Sequence, residues 1–192
     1  MTRKPAEPDL DDSDLLRRSK RGDEAAFIAL YRRHQGPVFR FALHMSGRQE
    51  TAEEVTQEVF LALLAHTQQY LEERGSLEAY LIGMARNQVR RHLQHVQRIV
   101  GEPKACCGES VAPGCALIDE LSKEQELESL RAAILSLPHN YREVVVLCDL
   151  EGMDYQQAAM QLGCAIGTIK SRLSRARAIL EAKLRKGERC PA

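Results

Sequence analysis

Apolar residues recur at the three- and four-residue spacing of an amphipathic helix from Asp14 to about Gln97. Gly36-Pro37 lies within this stretch and predicts a bend or a break, because proline removes a backbone donor. Gly47 predicts the end of the first helical unit. The predicted buried stripe of that unit consists of Leu15, Phe27, Leu30, Tyr31, Val38, Phe39, Ala42 and Met45.

Two more helices are predicted before residue 98. Thr51 followed by Glu54 has the spacing of a capping box and predicts the start of one helix. Ser76 is the predicted N-cap of the other. Their predicted apolar faces are Val55, Val59, Phe60 and Leu63, and then Leu77, Tyr80, Leu81, Met84 and Val89.

Residues 99–118 lose this periodicity and contain two prolines and several glycines, which is typical of a flexible linker. The predicted fold class is therefore all-α, with two small helical domains joined by the linker. The domains are predicted at 13–98 and 119–186. Residues 1–12, rich in proline and aspartate, are predicted to be disordered, and 187–192 form a tail.

The C-terminal domain has the pattern of a helix-turn-helix. A helix over about 120–136 stops at Leu137-Pro138, and the helix after it ends at Gly152. Asp154 then caps a short helix, Gly163 provides a turn, and a longer helix follows.

That longer helix contains the basic run "GTIKSRLSRARAILEAKL", residues 167–184. A helical wheel places Ile166, Ile169, Leu173, Ala176 and Leu180 on one arc, with Thr168, Ser171 and Arg175 opposite and Arg172 and Ser174 beside them. A solvated amphipathic helix is the plain alternative. Glu181 is its sole acidic residue, however, and short hydroxyls between basic side chains suit a helix that lies in a DNA groove.

Net charge does not discriminate among partners, because 27 acidic residues balance 27 basic ones. The charges are nevertheless segregated: the stretch between Glu78 and Glu102 has no acidic residue but contains Arg86, Arg90, Arg91 and Arg98. No apolar run approaches the length of a membrane span, and the polar N-terminus is not a signal peptide, so we expect a cytoplasmic protein without membrane insertion. Its six cysteines, without a CxxC pair, are expected to be reduced.

The sequence favours a protein that is not an enzyme. It has no Walker-type glycine-rich loop and no evident pair of base and nucleophile, so we expect no cofactor and no small-molecule substrate. His92, His95, Cys106 and Cys107 are residue types that bind zinc, but their spacing matches no standard site, and we expect no metal.

The segment "LPHNYREVVVLCDLEGMDYQQAAMQLGCAIGTIKSRLSRARAIL" resembles the C-terminal promoter-binding region of extracytoplasmic-function (ECF) RNA polymerase sigma factors. "FIALYRRHQGPVFRFAL", "AEEVTQEVFLALL" and "AYLIGMARNQVRRHL" are similar to the core-binding and −10 region of the same family. The resemblance covers about 14–97 and 120–184, in the family's order.

The resemblance implies a sigma factor that directs core RNA polymerase to −10 and −35 promoter elements. Three groups of residues follow from it. The helix over 51–65 would bind core polymerase through Glu54, Gln57 and Glu58. The −10 DNA would contact Tyr70, Arg86, Asn87, Arg90 and Arg91. The −35 DNA would contact Thr168, Lys170, Ser171, Arg172, Ser174 and Arg175. An anti-sigma factor is an implied partner.

Some interpretations stay open. Tyr80 stands where the family usually has Trp, and Glu72 and Glu73 place negative charge in the loop that should approach the −10 element. Either Tyr70 supplies a stacking surface there or −10 recognition is unusual. A stand-alone helix-turn-helix regulator with a sensing or dimerising N-terminal module is the alternative function, and "AEEVTQEVFLALL" argues against it because such a regulator has no need of that segment.

Overall fold

The computed structural model describes residues 11–65, 70, 73, 75–100 and 118–187, except for the side chains of 96–100, 118–125 and 186–187. The described residues form α-helices and contain no strand, which confirms the predicted all-α class. The helices are α1 Asp12–Lys20, α2 Glu24–Ser46, α3 Gln49–Ala65, α4 Leu77–Val100, α5 Ile118–Leu135, α6 His139–Val145, α7 Tyr155–Leu162 and α8 Ile166–Gly187. A π-helical turn, Val146–Leu150, continues α6. None of the described helices is long and apolar enough to cross a membrane.

The N-terminal module, α1 to α4, is built around α2, which packs against α1, α3 and α4. Leu30, Val38 and Phe41 of α2 are fully buried. They meet the buried faces of α3 and α4, which include Val55 and Leu81. The predicted apolar stripes thus form this core, since burial of one face of each helix stabilises the bundle.

Two details of the module differ from the sequence predictions. Pro37 neither bends α2 out of the module nor breaks it, because the helix continues from Glu24 to Ser46 with Val38 and Phe41 buried in the turn after the proline. This burial offsets the roughly 3 kcal/mol that an internal proline costs. Thr51 is not an N-cap, because α3 starts at Gln49 and the Ala52 N–H already donates to the Arg48 carbonyl at 3.1 Å.

Other predicted helix ends are confirmed. Gly47 ends α2 in the left-handed conformation, with φ 72°. The Ser76 hydroxyl accepts a hydrogen bond from the Ala79 N–H at 3.2 Å, and the Asp154 carboxylate accepts from Gln156 and Gln157 at 2.9 and 2.8 Å. Each of these ends is a local signal, because the capping residue satisfies backbone groups in the adjacent turn.

The C-terminal module packs α5, α6 and α7 against α8. Gly163, at φ 62°, joins α7 to α8 and completes the predicted helix-turn-helix. The π-helical turn after α6 was not predicted; it buries Val146 and Leu147 and leaves Cys148 half-buried. Residues 1–10 and 101–117 lie outside the described residues, so most of the predicted disordered N-terminus and of the predicted linker lies there too, while Asp11 caps α1.

The two modules are packed against each other. Arg142 of α6 donates from Nη1 to the Met45 carbonyl of α2 at 2.8 Å. A Cβ atom on Gly47 would lie 2.8 Å from Cδ1 of Leu135 in α5, so this glycine is required both by its φ angle and by the close approach of α5. The buried residues of both modules belong to one hydrophobic cluster.

Candidate nucleic-acid interface

The basic helix α8 presents its polar residues on a rigid support. Ile169, Leu173 and Ala176 are buried and fix the helix on the module, as the wheel predicted. Ile166, on the same predicted arc, is 42% exposed because it is the first residue of α8, next to the turn. Four of the predicted −35 residues are exposed, namely Lys170, Ser171, Ser174 and Arg175. The other two, Thr168 and Arg172, are half-buried.

Arg177 of the same helix is held by the module itself. Its Nε donates to Oδ2 of Asp149 in the π-helical turn at 3.0 Å, and Nη2 contacts the other carboxylate oxygen. This hydrogen-bonded pairing with Asp149 raises the pKa of Arg177. The pair joins α8 to the π-helical turn and distinguishes Arg177 from Arg175 two residues earlier. Sequence reasoning did not find it, because the partners are 28 positions apart.

The basic helix α4 carries four of the predicted −10 residues. Asn87, Arg90 and Arg91 are exposed, with Nη1 of Arg91 near the Gln88 side chain at 3.4 Å. Arg86 differs from them. Its Nε donates to Oε1 of Glu143 in α6 at 2.8 Å, and its side chain is only 17% exposed.

Tyr70, the fifth predicted −10 residue, is half-buried beside the start of α4. Its ring centre lies 5.4 Å from that of Tyr80, and its hydroxyl donates to the Gly75 carbonyl at 3.2 Å. Tyr80 therefore fills its predicted place as an aromatic that packs on the core. Glu72 lies outside the described residues, and Glu73 is exposed.

The predicted polymerase-binding residues lie on the exposed side of α3. Glu54 and Gln57 are exposed and Glu58 is half-buried. His92 of α4 lies between the two carboxylates, with Nε2 3.3 Å from Glu58 and Nδ1 3.7 Å from Glu54. The structure thus brings the α3 acidic residues together with the basic helix α4, whereas the −35 residues occupy the other module.

The zinc alternative gains no support from the described residues. His92 is engaged with the two glutamates, and Cys106 and Cys107 lie outside the part of the chain that the structure describes. Within that part, no group of three or more His, Cys, Asp or Glu residues could hold a metal ion.

Two buried acidic residues were not singled out from the sequence. Glu143 lies in α6 with its side chain 4% exposed. Burial alone would raise the pKa of Glu143, but hydrogen bonds from His139 and Arg86 outweigh it and lower the pKa. The side chain of Glu151 is 2% exposed, and burial raises its pKa, although Arg40 approaches at 3.2 Å and opposes that effect.

Comparison with known proteins agrees with this arrangement. The family model for Sigma-70 region 2 matches residues 30–99, and that for Sigma-70 region 4 matches 127–180. The chain is 33% identical over 160 residues to "ECF RNA polymerase sigma factor SigE" of Mycolicibacterium smegmatis, covering 81% of this chain but 62% of that one. It is 34% identical over 146 residues to "ECF RNA polymerase sigma factor EcfG" of Rhodopseudomonas palustris, covering 75% of this chain and 77% of that one.

A solved structure shares the fold at similar identity. The sigma factor RpoE of Bartonella quintana, crystallised with the anti-sigma factor NepR, aligns with a TM-score of 0.60 and 33% identity. The alignment covers 78% of this chain and 91% of that one. With both family regions matched in order, and with relatives above 30% identity over most of its length, the chain belongs to the ECF RNA polymerase sigma factors of the sigma-70 family.

Proposed function

We propose that this chain binds core RNA polymerase and directs it to promoters by contacting the −10 and −35 elements. The observation that carries the proposal is the exposed row on α8, where Lys170, Ser171, Ser174 and Arg175 project from a helix held by buried Ile169. As the second helix of a helix-turn-helix, α8 is the element that such folds place in the major groove.

In that groove the six predicted −35 side chains have different tasks. Arg175 reaches base edges, because guanidinium donors match the acceptors of guanine, and Lys170, Ser171 and Ser174, exposed on the same helix, contribute further contacts. Thr168 and Arg172 hold backbone phosphates, which fix the register of the helix on the duplex.

The −10 element is assigned to α4 and the loop before it. Arg90 and Arg91 neutralise phosphates of the opening strand, Asn87 contacts a base, and Tyr70 offers an aromatic face for stacking. Arg86 belongs to the same surface once it is released from Glu143. Strand opening is driven by binding energy, because flipped bases and single-strand phosphates favour the open form, and the chain hydrolyses no nucleotide.

Core polymerase is assigned to α3. Glu54, Gln57 and Glu58 form a polar edge that projects from a helix whose opposite face is buried through Val55 and Val59. The Bartonella relative was crystallised with an anti-sigma factor, and we propose a partner of the same kind for this chain. Its proposed site of action is the cytoplasm.

Binding to purified bacterial core RNA polymerase tests the proposal. We expect Gln57→Ala to weaken binding at least fivefold, because Gln57 is exposed on the polar edge. Glu53→Ala is the matched control, since Glu53 is also exposed on α3 but bonds within the helix to Gln49 at 2.9 Å. Absence of core binding by the wild-type chain, despite DNA binding, would support the stand-alone regulator instead.

A further inference from the structure

The exposed row on α8 combines side chains with different hydrogen-bonding abilities. Lys170 and Arg175 carry donors and no acceptor, whereas a serine hydroxyl, as in Ser171 and Ser174, can do both. Donors read the acceptors on the base edges, such as O6 of guanine and O4 of thymine in the major groove. The exocyclic amino groups of adenine and cytosine are read by a side chain that accepts, so on this row they depend on the two serines.

The hydroxyl of Ser171 already donates within its own helix. Its Oγ donates to the Thr168 carbonyl at 3.0 Å, while the side chain stays exposed. A hydroxyl has one hydrogen and two acceptor lone pairs. Because the single hydrogen is used by Thr168, Ser171 presents only acceptor capacity to a molecule that approaches α8.

Ser174 provides the contrast within the same row. Its side chain is exposed like that of Ser171, but its hydroxyl forms no hydrogen bond with any residue that the structure describes. Ser174 can therefore donate or accept, according to the base that it meets. The two serines have the same chemistry in the sequence and differ only through the bond to Thr168.

The bond to Thr168 favours acceptance over donation in a complex with DNA. If Ser171 accepts from a base, it keeps the bond to Thr168 and adds a second one. If it donates to a base, it exchanges one bond for another and leaves the gain at zero. A hydroxyl that donates also becomes a better acceptor, because hydrogen bonds in a chain polarise one another. An amino group is therefore the preferred partner of Ser171.

The position of Ser171 on the helix limits which base pair it can meet. Ser171 and Arg175 are one helical turn apart, and four residues advance an α-helix by about 6 Å. Successive bases of duplex DNA are about 3.4 Å apart. The base that Ser171 contacts should therefore lie within about three base pairs of the guanine assigned to Arg175.

We propose that Ser171 accepts a hydrogen bond from an exocyclic amino group and so selects adenine or cytosine at one position of the −35 element, close to the guanine that Arg175 contacts. This role rests on the proposed function, because it takes α8 as the −35 helix. It adds to that function the class of base that Ser171 selects and the direction of the hydrogen bond.

Selection from randomised duplex DNA locates the base pair. The proteins are the full-length wild type, Ser171→Ala and Ser174→Ala, with folding checked by circular dichroism. Ser171→Ala should lose the preference at one position, within about three base pairs of the position that Arg175→Ala affects. Ser174→Ala is the comparison and should act at a different position.

A double-mutant cycle then identifies the atom that Ser171 contacts. At the located position, purine replaces adenine, or 2-pyrimidinone replaces cytosine, and either change removes the amino group. In anisotropy titrations this removal should weaken binding of the wild type about 3- to 10-fold more than binding of Ser171→Ala, the usual effect of one hydrogen bond. The control is 4-thiothymine or 6-thioguanine on the opposite strand, which replaces the carbonyl oxygen acceptor by sulfur and should affect both proteins equally.

The reverse pattern, in which only the sulfur substitution depends on Ser171, would show that Ser171 donates and would overturn the proposal. An unchanged motif for Ser171→Ala would overturn it as well. If Ser171→Ala does not fold, the modified duplexes still decide the question with the wild type, which must lose affinity for the base without the amino group and not for the base with sulfur.

Failure of the proposed function has a different signature. If α8 does not read DNA, the wild type selects no motif from duplex DNA at all. A clear motif without any dependence on Ser171 refutes only the role of Ser171, so the two failures are distinguishable.

Discussion

Arg142 of α6 donates a hydrogen bond to the backbone carbonyl of Met45, 97 positions earlier in the chain, at 2.8 Å. The same guanidinium donates to the carbonyl of Leu135, the last residue of α5, and to that of Leu137 in the turn after it. Burial lowers the pKa of Arg142. The three carbonyls accept hydrogen bonds from its planar guanidinium, whose N–H donors point in fixed directions. One side chain thus closes the α5–α6 turn and ties it to the last turn of α2.

We predict that Arg142→Ala lowers the free energy of unfolding by about 2–4 kcal/mol, because three carbonyls lose a charged donor and the packing of the half-buried stem is lost. Arg142→Lys should recover part of this loss, since an ammonium keeps the charge but cannot reach all three oxygens. Urea denaturation followed by circular dichroism measures both. A change within 0.5 kcal/mol of wild type for Arg142→Ala would contradict this role.

Arg175 and Arg177 make a matched pair on α8. Arg175 is exposed and forms no ion pair with any described residue, whereas Arg177 is neutralised by Asp149. Arg175→Ala should cost about 1–3 kcal/mol in binding to the cognate −35 site and relax the preference at one base position.

Selection from randomised duplex DNA, followed by anisotropy titration of the selected site, measures both effects. Arg177→Ala is the control and should change affinity by less than about twofold, because its charge is already paired. Equal losses in the two variants would indicate general phosphate attraction rather than base reading by Arg175.

Tyr70 is predicted to offer its ring to an unpaired −10 base. Tyr70→Ala should then weaken binding of single-stranded −10 DNA by about 1–3 kcal/mol, the usual contribution of stacking one base on an aromatic ring. Tyr70→Phe keeps the ring and loses the hydrogen bond to the Gly75 carbonyl. It should retain most of the affinity, and a loss as large as that of Tyr70→Ala would indicate that Tyr70 acts by fixing the loop.

His44 gives a pH dependence with a defined sign. Burial, together with repulsion from Arg131 and Arg40, lowers the pKa of His44 below 6.5. The unfolded chain therefore binds this proton at a higher pH than the folded chain, and stability falls as pH decreases below 6.5. The loss from this residue is below about 1.4 kcal/mol per pH unit, the limit for one proton.

Chemical denaturation at pH 7.5 and 5.5 separates the contribution of His44 when wild type is compared with His44→Gln. The remaining histidines are common to both proteins, so the difference between them reports this site. We expect the variant to lose less stability on acidification. Identical losses would show that His44 is not responsible.

The features that sequence reasoning found are those encoded within one or two helical turns. The stripe around Leu30 and Val38 identifies the buried face of α2, and Ser76 and Asp154 cap their helices through backbone groups two or three residues away. The exposed row on α8 was predicted for the same reason, because helical periodicity alone separates buried Ile169 from exposed Lys170. Its contact with the −35 element stays a prediction.

The features that were missed depend on distant partners. In the sequence, Glu143 has no feature that distinguishes it from other helical glutamates. Packing of the two modules places its Oε1 2.8 Å from Nε of Arg86, 57 positions earlier. The π-helical turn at Val146–Leu150 has no simple sequence signal, and Pro37 is tolerated because tertiary burial outweighs its local cost. The division of Arg175 and Arg177 into free and paired residues likewise depends on Asp149 in another element.

In vitro transcription by purified core RNA polymerase on sheared bacterial genomic DNA, with mapping of transcript 5′ ends, tests whether this chain directs polymerase to promoters. We expect discrete start sites that appear only when the chain is added and that share two upstream motifs at fixed spacing. Arg175→Ala should change the upstream motif at one position. If the chain binds DNA yet neither associates with core polymerase nor adds any start site, it does not direct polymerase to promoters.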